Sequence, residues 1–482
     1  MLQLPEYSRV REFRVFLDAC GYGTERLTQH LGRARPPTAD EARQMFDDSR
    51  EITVLNVLVR LFLLGAPVDK ASVDAFLPDS VVRFCDDAGL LRTGDGIVNS
   101  QVVIIPVEDL LFVSDAFRVL GTDAARDFVL PASTHSANFL RLLTLRDAVG
   151  DTLDLGCGCG LHALFAARHS TRVIATDISP QAIAYTRFNA MLNDFGNVES
   201  LEGNLFEPVA GQRFDLIVSN PPFVIGPSES FVYRDNPLAL DEFCKALVAE
   251  APHYMREGAH LQMLCEWVEV EGETWKERVT GWVRGCDAWI LHAAPLSPAS
   301  YAEQRTADLS GESVNAGQTD DWIAYFDRHR VRAIHPGMLA LRRRDGVNWL
   351  HVHNLPADVT RAAGTAVADG IAAVDFLEAC DDEALLAATL GLADNLAAEQ
   401  VRSGEDTVGV RLCLRDGLST EADIDGAVAA FINLFDGERT VGGCVAEFAK
   451  VADADVDQLT ADLLAIVRVF VSRGFLKPLD LA

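Results

Sequence analysis

The chain is 482 residues long, 49% hydrophobic and 23% charged, which corresponds to about three domains and excludes a disordered chain. Its 42 Lys+Arg stand against 71 Asp+Glu, a net charge of −29. That balance argues against a broad basic face that wraps nucleic acid, while leaving room for a small basic patch.

Taken in order, three regions differ in pattern. Residues 1–125 read as helical and winged-helix-like. Val54, Leu55, Leu58, Leu61 and Leu64 recur at helical spacing, and Gly65-Ala66-Pro67 stops the run. Helices over Lys70–Phe76 and Ser80–Asp87 follow, then a glycine-punctuated stretch from Gly89 leads into the β-rich run Ile97–Pro106. Residues 126–356 alternate strand and helix: strand Thr152–Leu155, helix Ala163–Ala167, strand Arg172–Asp177, helix Pro180–Leu192, strand Phe214–Ser219. Strands Ala259–Leu264 and Asp287–Leu291 come next. A hairpin then runs from Ala333 through Leu341 to His351, with Asp345-Gly346 at its turn. Such alternation predicts an α/β fold with a parallel, doubly wound sheet, to which the hairpin adds an antiparallel edge. Residues 357–482 hold 23 Asp+Glu against 9 Lys+Arg. Helices over Glu421–Leu434, Val441–Val451 and Val456–Arg473 give this acidic region a second winged-helix-like pattern. It is better suited to packing on the central domain or on a protein partner than to binding DNA.

No segment reads as a membrane span, since the strongest apolar run, Leu55–Val68, is too short and carries Arg60. No signal-peptide pattern is evident at the N-terminus. The ten cysteines include no Cys-x-x-Cys pair, so no structural metal is expected and reduced thiols in a cytoplasmic protein are.

Two motifs carry chemistry. The first is Asp154-Leu-Gly156-Cys-Gly158-Cys-Gly160 at the end of an apolar strand. Glycines there let the backbone turn and approach a ligand, and the helix that follows presents free N–H groups. Such a loop also suits a nicotinamide cofactor. Asp154, two residues before the first glycine, can instead face an amino-acid ammonium. The next strand ends in Asp177, placed to accept two ribose hydroxyls with either cofactor. The second motif is Asn220-Pro221-Pro222-Phe223 after the strand Asp215–Ser219. Two prolines stiffen the loop. They hold the Asn220 amide oxygen and the Pro221 carbonyl where both can accept from one planar NH₂ group, aligning its lone pair without a strong base. Phe223 offers a face on which a flat acceptor can stack.

Together these motifs resemble class I S-adenosylmethionine-dependent methyltransferases, in the branch that methylates planar amino groups, over residues 126–356. The resemblance implies a Rossmann-like, seven-stranded methyltransferase sheet and S-adenosyl-L-methionine as cofactor. It makes Asp154, Gly156, Gly158 and Gly160 the methionine-binding loop, Asp177 the ribose-binding acid, and Asn204 the adenine contact, where many relatives have Asp. It makes Asn220, Pro221, Pro222 and Phe223 the catalytic loop. Thr134, in Ser133-Thr134-His135-Ser136, falls where relatives place a segment closing over the cofactor, or else is an ordinary helix cap. Arg234 is a substrate anchor, or else a loop ion pair with Asp235. His162 is read as a helix-surface residue, and Cys157 and Cys159 as small loop residues.

Three acceptor classes share this loop: RNA bases, protein glutamine, and small-molecule or peptide amines. Asn204-Leu-Phe-Glu-Pro and Phe at position 223 look most like the ribosomal RNA guanine-N2 enzymes, whereas release-factor glutamine enzymes more often carry Tyr there. The three-part layout resembles a set of bacterial methyltransferases with the same outer regions. The expectation is therefore an N-methyltransferase with the exocyclic amine of an RNA base as acceptor. The alternatives are a protein glutamine or small amine, and a non-catalytic cofactor-binding scaffold or regulator. A basic cluster, Arg328, His329, Arg330, Arg332, His335 and Arg342-Arg343-Arg344, is either a locally paired edge or a phosphate contact. Alternation along a strand keeps its three consecutive arginines from facing one ligand.

Overall fold

The computed structural model describes residues 2–32, 39–49, 51–116, 127–132, 134–227, 238–310, 316–355, 359–360, 362–403, 406–418 and 420–479. Two compact units result, one of residues 1–141 and 147–352, the other of residues 142–146 and 353–482.

The first unit opens on helices Tyr7–Ala19 and Thr24–Leu31, which bury Val10, Phe13, Leu17 and Leu27. The expected helix after Thr53 begins where that residue's hydroxyl accepts from the Asn56 N–H at 3.2 Å, and it widens to a π-turn over Val59–Leu63. A two-stranded ribbon, Val102–Val107 with Leu110–Asp115, is buried along its whole length. Its second strand is closed on its outer side by amide side chains. Asn189 exchanges two hydrogen bonds with the Val113 backbone (2.8 and 2.9 Å), and Asn193 two with Leu111 (2.9 and 2.8 Å). Four residues of helix rise about 6 Å and two residues of strand about 6.6 Å, so the two asparagines keep step with the strand's repeat.

The main sheet has eight strands: β1 (Val149–Leu155), β2 (Ser170–Asp177), β3 (Val198–Glu202), β4 (Phe214–Ser219), β5 (Met255–Val270), β6 (Cys286–His292), β7 (Val331–Arg343) and β8 (Leu350–Asn354). Their spatial order is 8-6-7-5-4-1-2-3. Strands β3, β2, β1, β4 and β5 pair in parallel, and β7 is antiparallel to both β5 and β6. Leu153, Ile174 and Ile217 are fully buried, as expected of parallel strands covered on both faces. Helices α1 (Leu161–Ala166), α2 (Pro180–Leu192), α3 (Glu242–Glu250), α4 (Trp275–Trp282), α5 (Pro298–Ser310) and α6 (Ala316–Arg328) lie between the strands in sequence. The α2 start was legible: Pro180 opens it and the Ser179 hydroxyl accepts from the Ala182 N–H. The strand order reverses between β1 and β4, and at such a point parallel sheets open a crevice beyond their carboxyl ends.

The antiparallel ending is present, but its two segments do not form the hairpin expected with one another. Ile334, Met338, Leu339, Ala340 and Leu341 are buried, so β7 is an interior strand with both edges taken by β5 and β6. The returning chain joins the free edge of β6 instead, where the Ala288 N–H donates to the Trp349 carbonyl at 2.9 Å.

The second unit holds helices Ala363–Ala379, Gly426–Ile432, Val441–Val451 and Val456–Ser472 around Phe431, Phe435, Val445, Val467, Phe470 and Phe475. The helix expected over Glu421–Leu434 begins only at Gly426. Asp425 accepts from the Val428 N–H at 2.8 Å as its cap, and Glu421–Ile424 pairs as a strand with Asp406–Leu414. Among the described residues no helix is long and apolar enough to cross a membrane, and all ten cysteines are free thiols.

Candidate active site

From Leu155 the chain turns through the glycine loop into α1. The N–H groups of Gly156 and Cys157 donate to the Thr176 carbonyl at 2.9 and 3.0 Å, tying the loop to the end of β2. Gly156, Gly158 and Gly160 have φ of +78°, +54° and +82°, values that cost an L side chain about 1–2 kcal/mol. A Cβ on Gly156 or Gly158 would meet nothing within 4 Å, whereas one on Gly160 would lie 3.0 Å from Thr186. The first two glycines therefore leave the floor of the crevice bare, and the third allows close packing against α2.

Asp154, 1% exposed, accepts from the Ala163 N–H in the first turn of α1 at 2.8 Å through Oδ2. Its Oδ1 has no hydrogen-bond partner among the described residues. Burial, with a smaller contribution from the Asp177 charge, pushes its carboxyl up to about 7. Asp177 accepts from the N–H groups of Gly158 and Ser179, both at 2.9 Å. Burial raises its carboxyl above the ordinary range.

A cleft of about 360 Å³ opens over these strand ends, lined by Gly156, Gly158, Asp177, Asn204, Asn220, Pro222 and Thr134 among the residues singled out in the sequence. Asp154 and Gly160 are not in its lining. Pro221 is buried, and Phe223 is half-buried against apolar clusters outside the lining. Arg234 and Ser133 lie outside the described residues. The lining also includes Cys157 and Cys159 of the loop, His162, and residues that the sequence did not disclose, among them Phe128, Val129 and Phe243. His162 is 6% exposed, so it is not the helix-surface residue expected; position two of a short helix carries no sequence mark of which way it faces.

Unsatisfied polar atoms concentrate in this cleft and at the strand end behind it. Asn220 Oδ1, Thr134 Oγ1, Asp154 Oδ1 and both His162 ring nitrogens are buried with no hydrogen-bond partner among the described residues. Buried polar groups are satisfied nine times in ten or more, so this concentration marks a place built for a polar ligand.

The walls are held by further contacts. Asp115 accepts from Val129 N–H (2.8 Å), from the Tyr185 hydroxyl (2.6 Å) and from Gln181 Nε2 (2.7 Å), which anchors the wall carrying Phe128. Behind the Asn220 loop, the Ser219 hydroxyl donates to the Leu155 carbonyl at 2.8 Å, and Ile225 N–H donates to the Tyr301 hydroxyl at 3.0 Å. That hydroxyl in turn donates to Glu266, which is ion-paired with Arg305. Buried Asp241 takes the Arg278 guanidinium and the Val268 N–H at 3.0 Å, fixing the start of α3 and with it Phe243. The basic cluster is largely paired locally. Arg342 and Arg344 meet Asp287 at 2.6 and 3.1 Å, Arg343 meets Asp345 at 2.8 Å, Arg332 meets Glu271 at 3.3 Å, and His335 bonds His292 at 2.8 Å.

The sequence also resembles known proteins. Residues 134–267 match the family described as methyltransferase small domain, and residues 19–101 match a domain of unknown function (DUF7059). The release factor glutamine methyltransferase of Geobacter sulfurreducens is 34% identical over 166 residues, 30% of this chain and 58% of the relative. The ribosomal RNA small subunit methyltransferase C of Alcanivorax borkumensis is 30% identical over 145 residues, 27% of this chain and 41% of the relative. The chain spans about half the length of these relatives. Residues 134–267 are a methyltransferase small domain of the class I type, resembling both kinds of relative.

Proposed function

We propose that the chain is an S-adenosyl-L-methionine-dependent N-methyltransferase acting on a planar amino group, with the exocyclic amine of an RNA base as its acceptor. The observation that carries this reading is Asn220. Its Oδ1 is buried and unpartnered among the described residues, and it borders the same cleft as the bare glycines Gly156 and Gly158.

The residues fit the cofactor. Gly156 and Gly158 leave room for it, with Gly160 fixing their turn from below. Asp154 faces its amino-acid end, Asp177 its ribose hydroxyls, Asn204 its adenine, and Thr134 closes the side. Bound there, the cofactor supplies an electrophilic methyl group on a sulfonium centre. Asn220 Oδ1 and the Pro221 carbonyl accept the two N–H bonds of the acceptor, which turns its lone pair along one line and removes the need for a strong base. Pro221 and Pro222 keep both acceptors from swinging away. Phe223 stacks on the acceptor ring with the part of its face left exposed, and Arg234, assigned from the sequence alone, is the acceptor anchor. Residues 1–125 and 357–482 flank this catalytic domain, residues 126–356, as winged-helix-like modules. Ten free thiols fit a reducing compartment such as the cytoplasm. No metal enters this reading.

A second reading, methylation of a protein glutamine, is favoured by the release-factor relatives and by the net charge of −29, which suits a basic protein partner. Radiolabelled methyl from the cofactor, offered to a lysate of a strain lacking the gene and split into RNA, DNA, protein and small molecules, separates the two. Label is expected in RNA and is lost with Asn220→Ala, while cofactor affinity stays within about twofold, below the tenfold that 1.4 kcal/mol represents. Label confined to protein or to small molecules rejects the RNA acceptor. Full transfer by Asn220→Ala rejects the mechanism.

A further inference from the structure

We infer that His162 is a direct ligand of the cofactor's amino-acid end, its ring meeting both the carboxylate and the ammonium. This inference rests on the cofactor reading above and adds a residue to it. The strand order supplies the direction. Asn220 follows β4, the glycine loop follows β1, Asp177 ends β2 and Asn204 follows β3. A ligand with its ribose at Asp177 and its reacting methyl toward Asn220 carries its remaining end over β1 and the first turn of α1. His162 stands there, next to Ala163, whose N–H is capped by Asp154.

Three observations make this more than a buried histidine. The side chain is 6% exposed yet lines the cleft. Neither ring nitrogen has a partner among the described residues, although the loop backbone and Asp154 lie close by in the chain. Asp154 Oδ1, on the residue assigned to the same end, is likewise unpartnered among the described residues, as is Thr134 Oγ1 elsewhere in the cleft lining. A neutral imidazole carries one N–H donor and one lone pair, which complements an amino-acid zwitterion. Burial and the nearby Arg141 charge hold the ring near a pKa of about 3, so it presents that neutral form throughout the physiological range. A protonated ring would put a positive charge directly against an ammonium and a sulfonium, and the neutral form does not.

The test compares two ligands by calorimetry on the full chain: S-adenosylhomocysteine, which carries the amino-acid end, and 5′-methylthioadenosine, which lacks it. His162→Leu is expected to weaken the first by about ten- to hundredfold, the range of a lost hydrogen bond to a charged group. The second should change by less than about twofold, and this also reports that the variant folds. His162→Gln, which restores a donor and an acceptor, is expected to recover most of the loss. Equal weakening of both ligands, or no weakening of either, overturns the inference and leaves the cofactor reading intact. A wild-type chain that binds neither ligand overturns both.

Discussion

Ligand binding should depend on pH through Asp154, because burial raises its carboxyl to about 7 in the ligand-free chain. A cofactor ammonium at the unpartnered Oδ1 requires the ionised form, so binding must expel a proton below that value. The affinity is then divided by about 1 + 10^(7−pH), with each decade worth about 1.36 kcal/mol. Between pH 7.5 and 5.5 that factor rises from about 1.3 to about 30, so affinity for S-adenosylhomocysteine should fall about 25-fold. The ligand's own α-amino group, ordinarily near 8, sets a descending limb above the optimum. The sign for stability is opposite. The folded pKa lies above the ordinary Asp value, so stability of the ligand-free unit is present at low pH and is lost as pH rises through 7. Calorimetric titrations at half-unit intervals, in buffers of different ionisation enthalpy, read both the affinity and the released proton. Asp154→Asn keeps an oxygen for the Ala163 N–H and should flatten the acidic limb. A wild-type profile flat within twofold, or an Asp154→Asn profile with the same slope, refutes the argument.

The glycines make a paired test. Gly158→Ala and Gly160→Ala should each cost about 1–2 kcal/mol in backbone strain. Only Gly158→Ala places a methyl over the open floor, so it should also lose cofactor affinity, by about tenfold or more, while Gly160→Ala acts mainly through stability; urea midpoints and calorimetry separate the two. Tyr301→Phe removes the acceptor of the Ile225 N–H and a donor to Glu266. It should destabilise by about 1–3 kcal/mol and lower turnover more than cofactor affinity, which steady-state kinetics beside calorimetry would show. Asn189→Leu strands the Val113 N–H and carbonyl and the Cys159 carbonyl. It should cost about 2–4 kcal/mol in thermal or urea unfolding; a loss under 1 kcal/mol would mean that water replaces the amide.

The centre of the parallel half was legible because three of its strands end in a signal with a physical cause: Asp154 before the glycines, Asp177 before the Ser179-Pro180 helix start, Ser219 before Asn220. These signals act over a few residues, as does the Asp425 cap, which starts its helix at Gly426 rather than at Glu421. The β7 placement was not legible, because a strand of buried Met338, Leu339 and Ala340 looks the same whether its neighbour is the next strand in sequence or one formed 40 residues earlier. The same limit hid Phe128, Phe243 and His162. Asp115 and Asp241 deliver the first two to the cleft, through hydrogen bonds that cross 14 and 27 residues of chain respectively. No local pattern encodes that.

The asparagine pair along Leu110–Asp115 has a consequence for behaviour in a crowded solution. A strand with open backbone groups on one side is a template on which another chain can extend, and a fully apolar one is the more dangerous. Here Leu111 and Val113 have their outward N–H and carbonyl groups already occupied by Asn189 and Asn193. Because Asn189 sits on the helix that follows β2 and Asn193 caps its end, this edge is covered only once that helix is in place. A chain that ends before residue 193 lacks part of this cap, and the edge at Leu111 is then open to pairing with another strand.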